Sequence, residues 1–132
     1  MLSRVPSTLP PDVEAVLLQV IGAAIEVHRH LGPGFLESIY QRALCVEFDQ
    51  RGISFEKKKR IDIVYKGHRL YGQELDLVVE SKVVVEVKAV SQLEEIHGSQ
   101  VVSYLKATGL RAGLLANFNA VVMKAGIRRI VR

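Results

Sequence analysis

Apolar residues near the start of the chain recur at helical spacing. Val13, Leu17, Val20, Ile21, Ala24 and Val27 or His28 form one stripe, the repeat of an amphipathic helix. Two prolines and Asp12 mark its start, with Asp12 expected near the N-cap. Its end is expected at "HLGPG", where two glycines and Pro33 punctuate the chain. Phe35, Leu36, Ile39, Tyr40, Ala43, Leu44 and Phe48 predict a second helix, closed by Gly52. The period then changes from helical to alternating. "ISFEKKKRIDIVYKG" predicts a strand running into a turn at Lys66–Gly67, and "RLYGQELDLVV" and "KVVVEVKAV" predict two more.

"SQLE" reads as a capping box, with Ser91 at the N-cap and Glu94 at N3. The helix it opens should run to about Ala107 and stop before Gly109. "AGLLANF" and "IRRIV" predict two short final strands. The expected order is α-α-β-β-β-α-β-β, an α/β (α+β) protein whose mixed sheet is flanked by helices.

Composition adds bounds. The 132 residues, 48% hydrophobic and 24% charged, fit one globular domain rather than a disordered chain. Residues 1–132 are expected to form that single domain, with 1–11 as a flexible N-terminal arm. The net charge of +4 and a pI near 9.4 permit a nucleic-acid partner without requiring one. Cys45, the sole cysteine, cannot form an internal disulfide and suits a reducing cytosol. Its place in an apolar helical pattern points to a core thiol. No signal-peptide core and no membrane-length apolar run are visible, so a cytoplasmic protein without a membrane partner is expected.

One strand carries charges where burial is expected. In "VVESKVVVEVKAV", Glu86 and Lys88 interrupt a valine run, and buried charges are costly unless they are paired or bind a metal. Alternation puts Leu75, Leu77 and Val79 on one face and Glu74, Asp76 and Val78 on the other. On the next strand, Val83, Val85 and Val87 lie opposite Val84, Glu86 and Lys88. A hairpin centred on Ser81 makes the apolar faces coincide. Asp76 then lies across from Glu86, and Lys88 across from Glu74.

Facing carboxylates repel, and a divalent cation such as magnesium would turn that liability into a site. Lys88 could orient or deprotonate a water there, or offset developing negative charge. The plainer alternative is an amphipathic hairpin whose charged face meets water.

These residues resemble the PD-(D/E)xK nuclease superfamily, with its restriction-endonuclease-like fold. "LGPGFLESIYQRAL" is similar to the small prokaryotic GxxExxY family within it, Gly34, Glu37 and Tyr40 taking the named positions. The similarity continues through "VSYLKATGLRAGLLANFN". It implies that Asp76 and Glu86, with a backbone carbonyl of the ExK strand (assigned to Val87), hold Mg2+ or Mn2+. Lys88 would assist the attacking water in phosphodiester hydrolysis, with DNA the expected substrate. Leu75 stands where the superfamily name has proline, a mild departure.

Glu37 is expected to add an acid to the site, although an acid in a helix's first turn also interacts favourably with the dipole. Gln100 and Tyr104, four residues apart on the third helix, resemble the QxxxY element of RecB-like nucleases. Gln100 is expected in the site and Tyr104 is an accessory candidate. Tyr40 is another, with packing favoured. His97 is expected to be peripheral, and His28 and His30 to cap or be solvated. Lys57, Lys58, Lys59 and Arg60 could contact phosphates. An enzyme acting on RNA, a non-catalytic nucleic-acid-binding protein, a partner-dependent subunit and a homodimer remain open alternatives.

Overall fold

The computed structural model describes residues 8–132. Two helices, α1 (Pro11–Leu31) and α2 (Glu37–Arg51), precede strands β1 (Phe55–Tyr65), β2 (His68–Val79) and β3 (Val83–Lys88). Helix α3 (Glu95–Thr108), strand β4 (Ala112–Asn117), a 3-10 turn (Met123–Gly126) and β5 (Ile127–Val131) complete the chain. The sheet order is β1-β2-β3-β4-β5. Only β3 and β4 run parallel, joined through α3; the other pairs are antiparallel. This mixed sheet flanked by helices has the layout of a restriction-endonuclease-like fold.

The apolar stripe of α1 becomes core: Val13, Leu17, Val20, Ala24 and Val27 are buried with Tyr40, Leu44 and Phe48 of α2. They cover one sheet face, formed by Leu77, Val79, Val83, Val85, Val87, Leu114 and Ala116. The opposite face is covered by α3, whose Val101, Tyr104 and Leu105 pack on Leu75, Val78 and Val84. Both faces of β3 are therefore covered, which explains its unbroken valines.

Several expected boundaries shift. Asp12 does lie near the N-cap of α1, which is Pro10, and Pro11 also occupies the first turn, where a missing N–H costs nothing. Residues 1–7 of the expected arm lie outside the described residues, but Leu9 is buried in the main core. Helix α2 begins at Glu37 because Leu36 is extended; Phe35 and Leu36 are exposed rather than part of its apolar stripe. The capping box of α3 uses Glu94 as N-cap and His97 at N3, not Ser91 and Glu94. His97 Nδ1 accepts the Glu94 N–H at 3.0 Å. His28 is also more than a solvated cap: its buried ring bonds the Ala120 carbonyl at 2.7 Å, tying α1 to the segment after β4.

The turn after β4 is tight around Gly126. A Cβ there would overlap the Asn117 carbonyl oxygen, which is backbone and has no rotamer through which to yield. Gly126→Ala should cost about 1–3 kcal/mol, the usual range for overpacking. A lowered melting midpoint would show it; an unchanged one would mean the turn can shift freely.

Candidate active site

The hairpin register is centred on Ser81, pairing Val79 with Val83, Val78 with Val84 and Leu77 with Val85. The ladder stops there. Asp76 and Glu86 are the next residues, and instead of opposing each other in a continued ladder they stand where the strands part. Their carboxylates replace main-chain acceptors. Asp76 Oδ2 accepts the Val87 N–H at 2.9 Å, and Glu86 Oε1 accepts the Asp76 N–H at 3.2 Å. Two side-chain-to-backbone bonds thus lock the acids to each other's strands.

The same place breaks the other side of β2. Lys57 pairs with Leu77 and Lys59 with Leu75, but Lys58 and Asp76 between them do not pair. Lys58 has a φ of 49°, a left-handed conformation that costs a non-glycine residue energy. Across this break the alternation slips. Leu75 packs on the α3 side with Val78, while Leu77 and Val79 face α1 and α2. The expected common face of Leu75, Leu77 and Val79 is therefore wrong. A parity shift at Asp76 frees this residue from the ladder on both sides.

Beyond Glu86 the strand's N–H groups continue to find side chains. Glu37, the first residue of α2, accepts the Ala89 N–H at 3.3 Å. Asn117 Oδ1 accepts from Val90 N–H at 3.0 Å, and its amide donates to Val90 O at 2.9 Å. Buried backbone groups must be paired somewhere, and here Asp76, Glu37 and Asn117 provide partners. Asn117 escaped sequence analysis, although a buried polar residue closing the apolar run "AGLLAN" is the signal that marks it.

Glu86 is only 4% exposed. Burial, then the neighbouring Asp76 charge, pushes its carboxyl up to about 8, a hydrogen bond between the two acids also raising it while Lys88 pulls the other way. Lys88 lines an open pocket with Gln73, His97, Gln100 and Tyr104, and among the described residues it makes no ion pair at contact distance. Tyr104 accepts a 3.1 Å bond from Gln73. Burial raises its phenol, with the Glu86 and Asp76 charges adding to the rise. Gln73 is a pocket residue that sequence analysis did not single out.

On the other side of the acid pair, Asp76 opens onto a groove with Gln41, Arg42, Cys45, Lys57 and Lys58. Asp76 thus lines one cleft and Lys88 the other. Lys59 and Arg60 differ from their basic neighbours: Lys59 pairs with Glu56 at 2.8 Å and Arg60 with Glu74 at 3.6 Å. Glu74 is consequently the partner of Arg60, not of Lys88. Tyr40 is fully buried, stacked on Phe118 at 4.7 Å, with its hydroxyl donating to Gly32 O at 2.5 Å. It shapes the connection between α1 and α2 and stands apart from the acids.

The sheet thus opens at Asp76 and Glu86, with Lys88 two residues beyond Glu86 on the same strand. The chain belongs to the PD-(D/E)XK nuclease superfamily, which it matches over residues 14–130. No curated protein and no solved structure is matched. Among the described residues, no helix is long and apolar enough to cross a membrane.

Proposed function

We propose that the protein is a metal-dependent nuclease of the GxxExxY type that hydrolyses phosphodiester bonds of DNA. The observation that carries this reading is the buried Glu86 carboxyl held against Asp76. Such a pair is costly to keep ionised, and a divalent cation relieves the cost.

The donors suit magnesium or manganese. Asp76 and Glu86 supply anionic oxygens, and the Val87 carbonyl is a third donor on the same strand. Among the described residues, no three His, Cys, Asp or Glu side chains converge into a ready metal cluster. The oxygen donors of Asp76 and Glu86 suit a hard ion that binds through one or two carboxylates and completes its shell with water and substrate phosphate. When bound, the ion would polarise the phosphate and lower the pKa of an attacking water.

The chain's own residues would do the rest. Lys88 would orient the attacking water and, as the neutral amine, take up its proton to become the ammonium, while Gln100 and Tyr104 fix the other wall of the pocket. Glu37 holds Ala89 and so sets the course of the strand that carries Lys88. Lys57 and Lys58, in the groove beside Asp76, would neutralise phosphates.

Incubation with supercoiled, linear and single-stranded DNA in magnesium or manganese tests the reading. Cleavage should appear with metal, stop with EDTA and be lost in Asp76→Ala. Absence of cleavage on every DNA form, or full activity in Asp76→Ala, would overturn it.

A further inference from the structure

The β1–β2 hairpin outruns the sheet to which it belongs. Strand β3 pairs with β2 only over Leu77–Val79, whereas β1 and β2 remain paired out to Tyr65 and His68. At about 3.3 Å per residue, the ribbon from Asp76 to its turn is on the order of 25 Å long. Because β2 and β3 are antiparallel, it projects in the direction in which β3 runs from Val85 to Lys88. It therefore overhangs the end of the sheet that carries the acid pair.

Its base is anchored. Gln73 bonds Tyr104 of α3, and Ile61 packs against the cluster formed by Leu75 and α3. Its outer part is bare: every residue from Val64 to Gly72 is exposed, including Tyr65 and Tyr71. An isolated two-stranded ribbon is marginally stable at best, so this one gains from a partner that covers it.

Charge and shape indicate that partner. Beyond the break, residues 59–75 hold four Lys and Arg against two Asp and Glu, half of the chain's net charge of +4, and the bare outer part carries Lys66 and Arg69 with no acid. Near the tip, Lys66 lies 5.4 Å from the Tyr65 ring centre. Arg69 stands 3.9 Å from Asp62, both well exposed, and such a surface pair is easily exchanged for a phosphate. A two-stranded ribbon fits the B-form major groove, about 12 Å wide, while the A-form major groove excludes side chains.

We propose that the β1–β2 ribbon grips duplex DNA beyond the cleavage point, using Tyr65, Lys66, Arg69 and Tyr71. This deepens the nuclease reading and takes from it the position of the cut. The choice of partner rests on the ribbon's own charge and form.

Fluorescence anisotropy with a labelled DNA duplex in calcium, without magnesium or manganese, separates binding from cleavage. The double variant Lys66→Gln/Arg69→Gln should weaken binding by about tenfold or more and make the log K against log salt slope shallower by about two. Tyr65→Ser/Tyr71→Ser should weaken binding without changing that slope. All four side chains are exposed, so melting midpoints should match the parent. An RNA duplex of the same sequence should bind more weakly and respond little to these changes.

Parent-like affinity and salt slope in both variants would overturn the ribbon proposal even if the protein cuts DNA. A dimer broken by the variants with duplex binding intact would overturn it in favour of a second copy. Ribbon-dependent binding with no cleavage in magnesium or manganese would sink the nuclease reading and leave the ribbon standing. Neither binding nor cleavage would overturn both.

Discussion

Glu86→Gln should make the metal-free protein more stable at pH 8 while removing the response to magnesium. The sign follows from the direction of the shift. Glu86 is raised from 4.5 to about 8 in the fold, first by burial and then by Asp76. The folded protein therefore holds a proton that the unfolded chain releases across this range. The stability linked to that proton is fully present below about pH 4.5 and is lost as pH rises through about 8. At about 1.4 kcal/mol per pKa unit, the loss at the upper end is on the order of 3–5 kcal/mol.

Glutamine keeps the side chain's size and an acceptor for the Asp76 N–H, but it has no charge to bury. In EDTA, the variant's melting midpoint should exceed the parent's at pH 8 by on the order of 10 °C, with the gap closing towards pH 5. Magnesium should stabilise the parent more at pH 8 than at pH 5, because at pH 5 the ion must displace the proton that the folded protein holds on Glu86. Glu86→Gln should show neither the magnesium stabilisation nor cleavage. Scanning calorimetry at the two pH values, with EDTA and with magnesium, measures all of this. A variant that tracks the parent at both pH values would show that the pair carries no such cost.

That cost also explains what was legible in the sequence. The valines of β3 and the short "ESK" connection sufficed to place the turn on Ser81 and to bring Asp76 to Glu86, because parity leaves one register that buries both apolar faces. The break at Lys58 and Asp76 was not legible. Leu75, Leu77 and Val79 alternate without interruption, and hydrophobic period alone cannot reveal that a left-handed Lys58 accompanies a change of face. Tertiary packing decided it, since Leu75 is needed under α3 and Leu77 under α1 and α2.

Local signals show the same limit. "SQLE" satisfies the capping-box pattern, yet Glu94 and His97 form the actual box one turn later. Gln100 and Tyr104 were found because they share a helix face. Gln73 was missed because its place in the pocket depends on the long-range bond from β2 to Tyr104, which no spacing within one element encodes. Asn117 likewise acts 27 residues away, on Val90.

Lys88→Ala should abolish nearly all cleavage, by about 10²–10⁴-fold, the range for a positioned proton-transfer group. Two effects are mixed in that loss, and pH separates them. Lys88 is the charge that favours the ionised form of Glu86, so its removal raises Glu86 further and weakens metal binding near neutrality. Raising the pH ionises Glu86 and should restore metal affinity in the variant. It cannot restore a group that handles the water's proton. Isothermal titration with magnesium at pH 7 and pH 9 should therefore show affinity recovering in Lys88→Ala, while cleavage at pH 9 stays low. Lys88→Arg sharpens the distinction. It keeps a positive charge near Glu86, so metal affinity should remain close to the parent's at pH 7. Its guanidinium is not deprotonated in proteins and demands a wider, planar space, so cleavage should remain far below the parent's. Recovery of cleavage by Lys88→Arg would show that Lys88 acts as a fixed charge beside the developing negative charge, with no part in moving the water's proton.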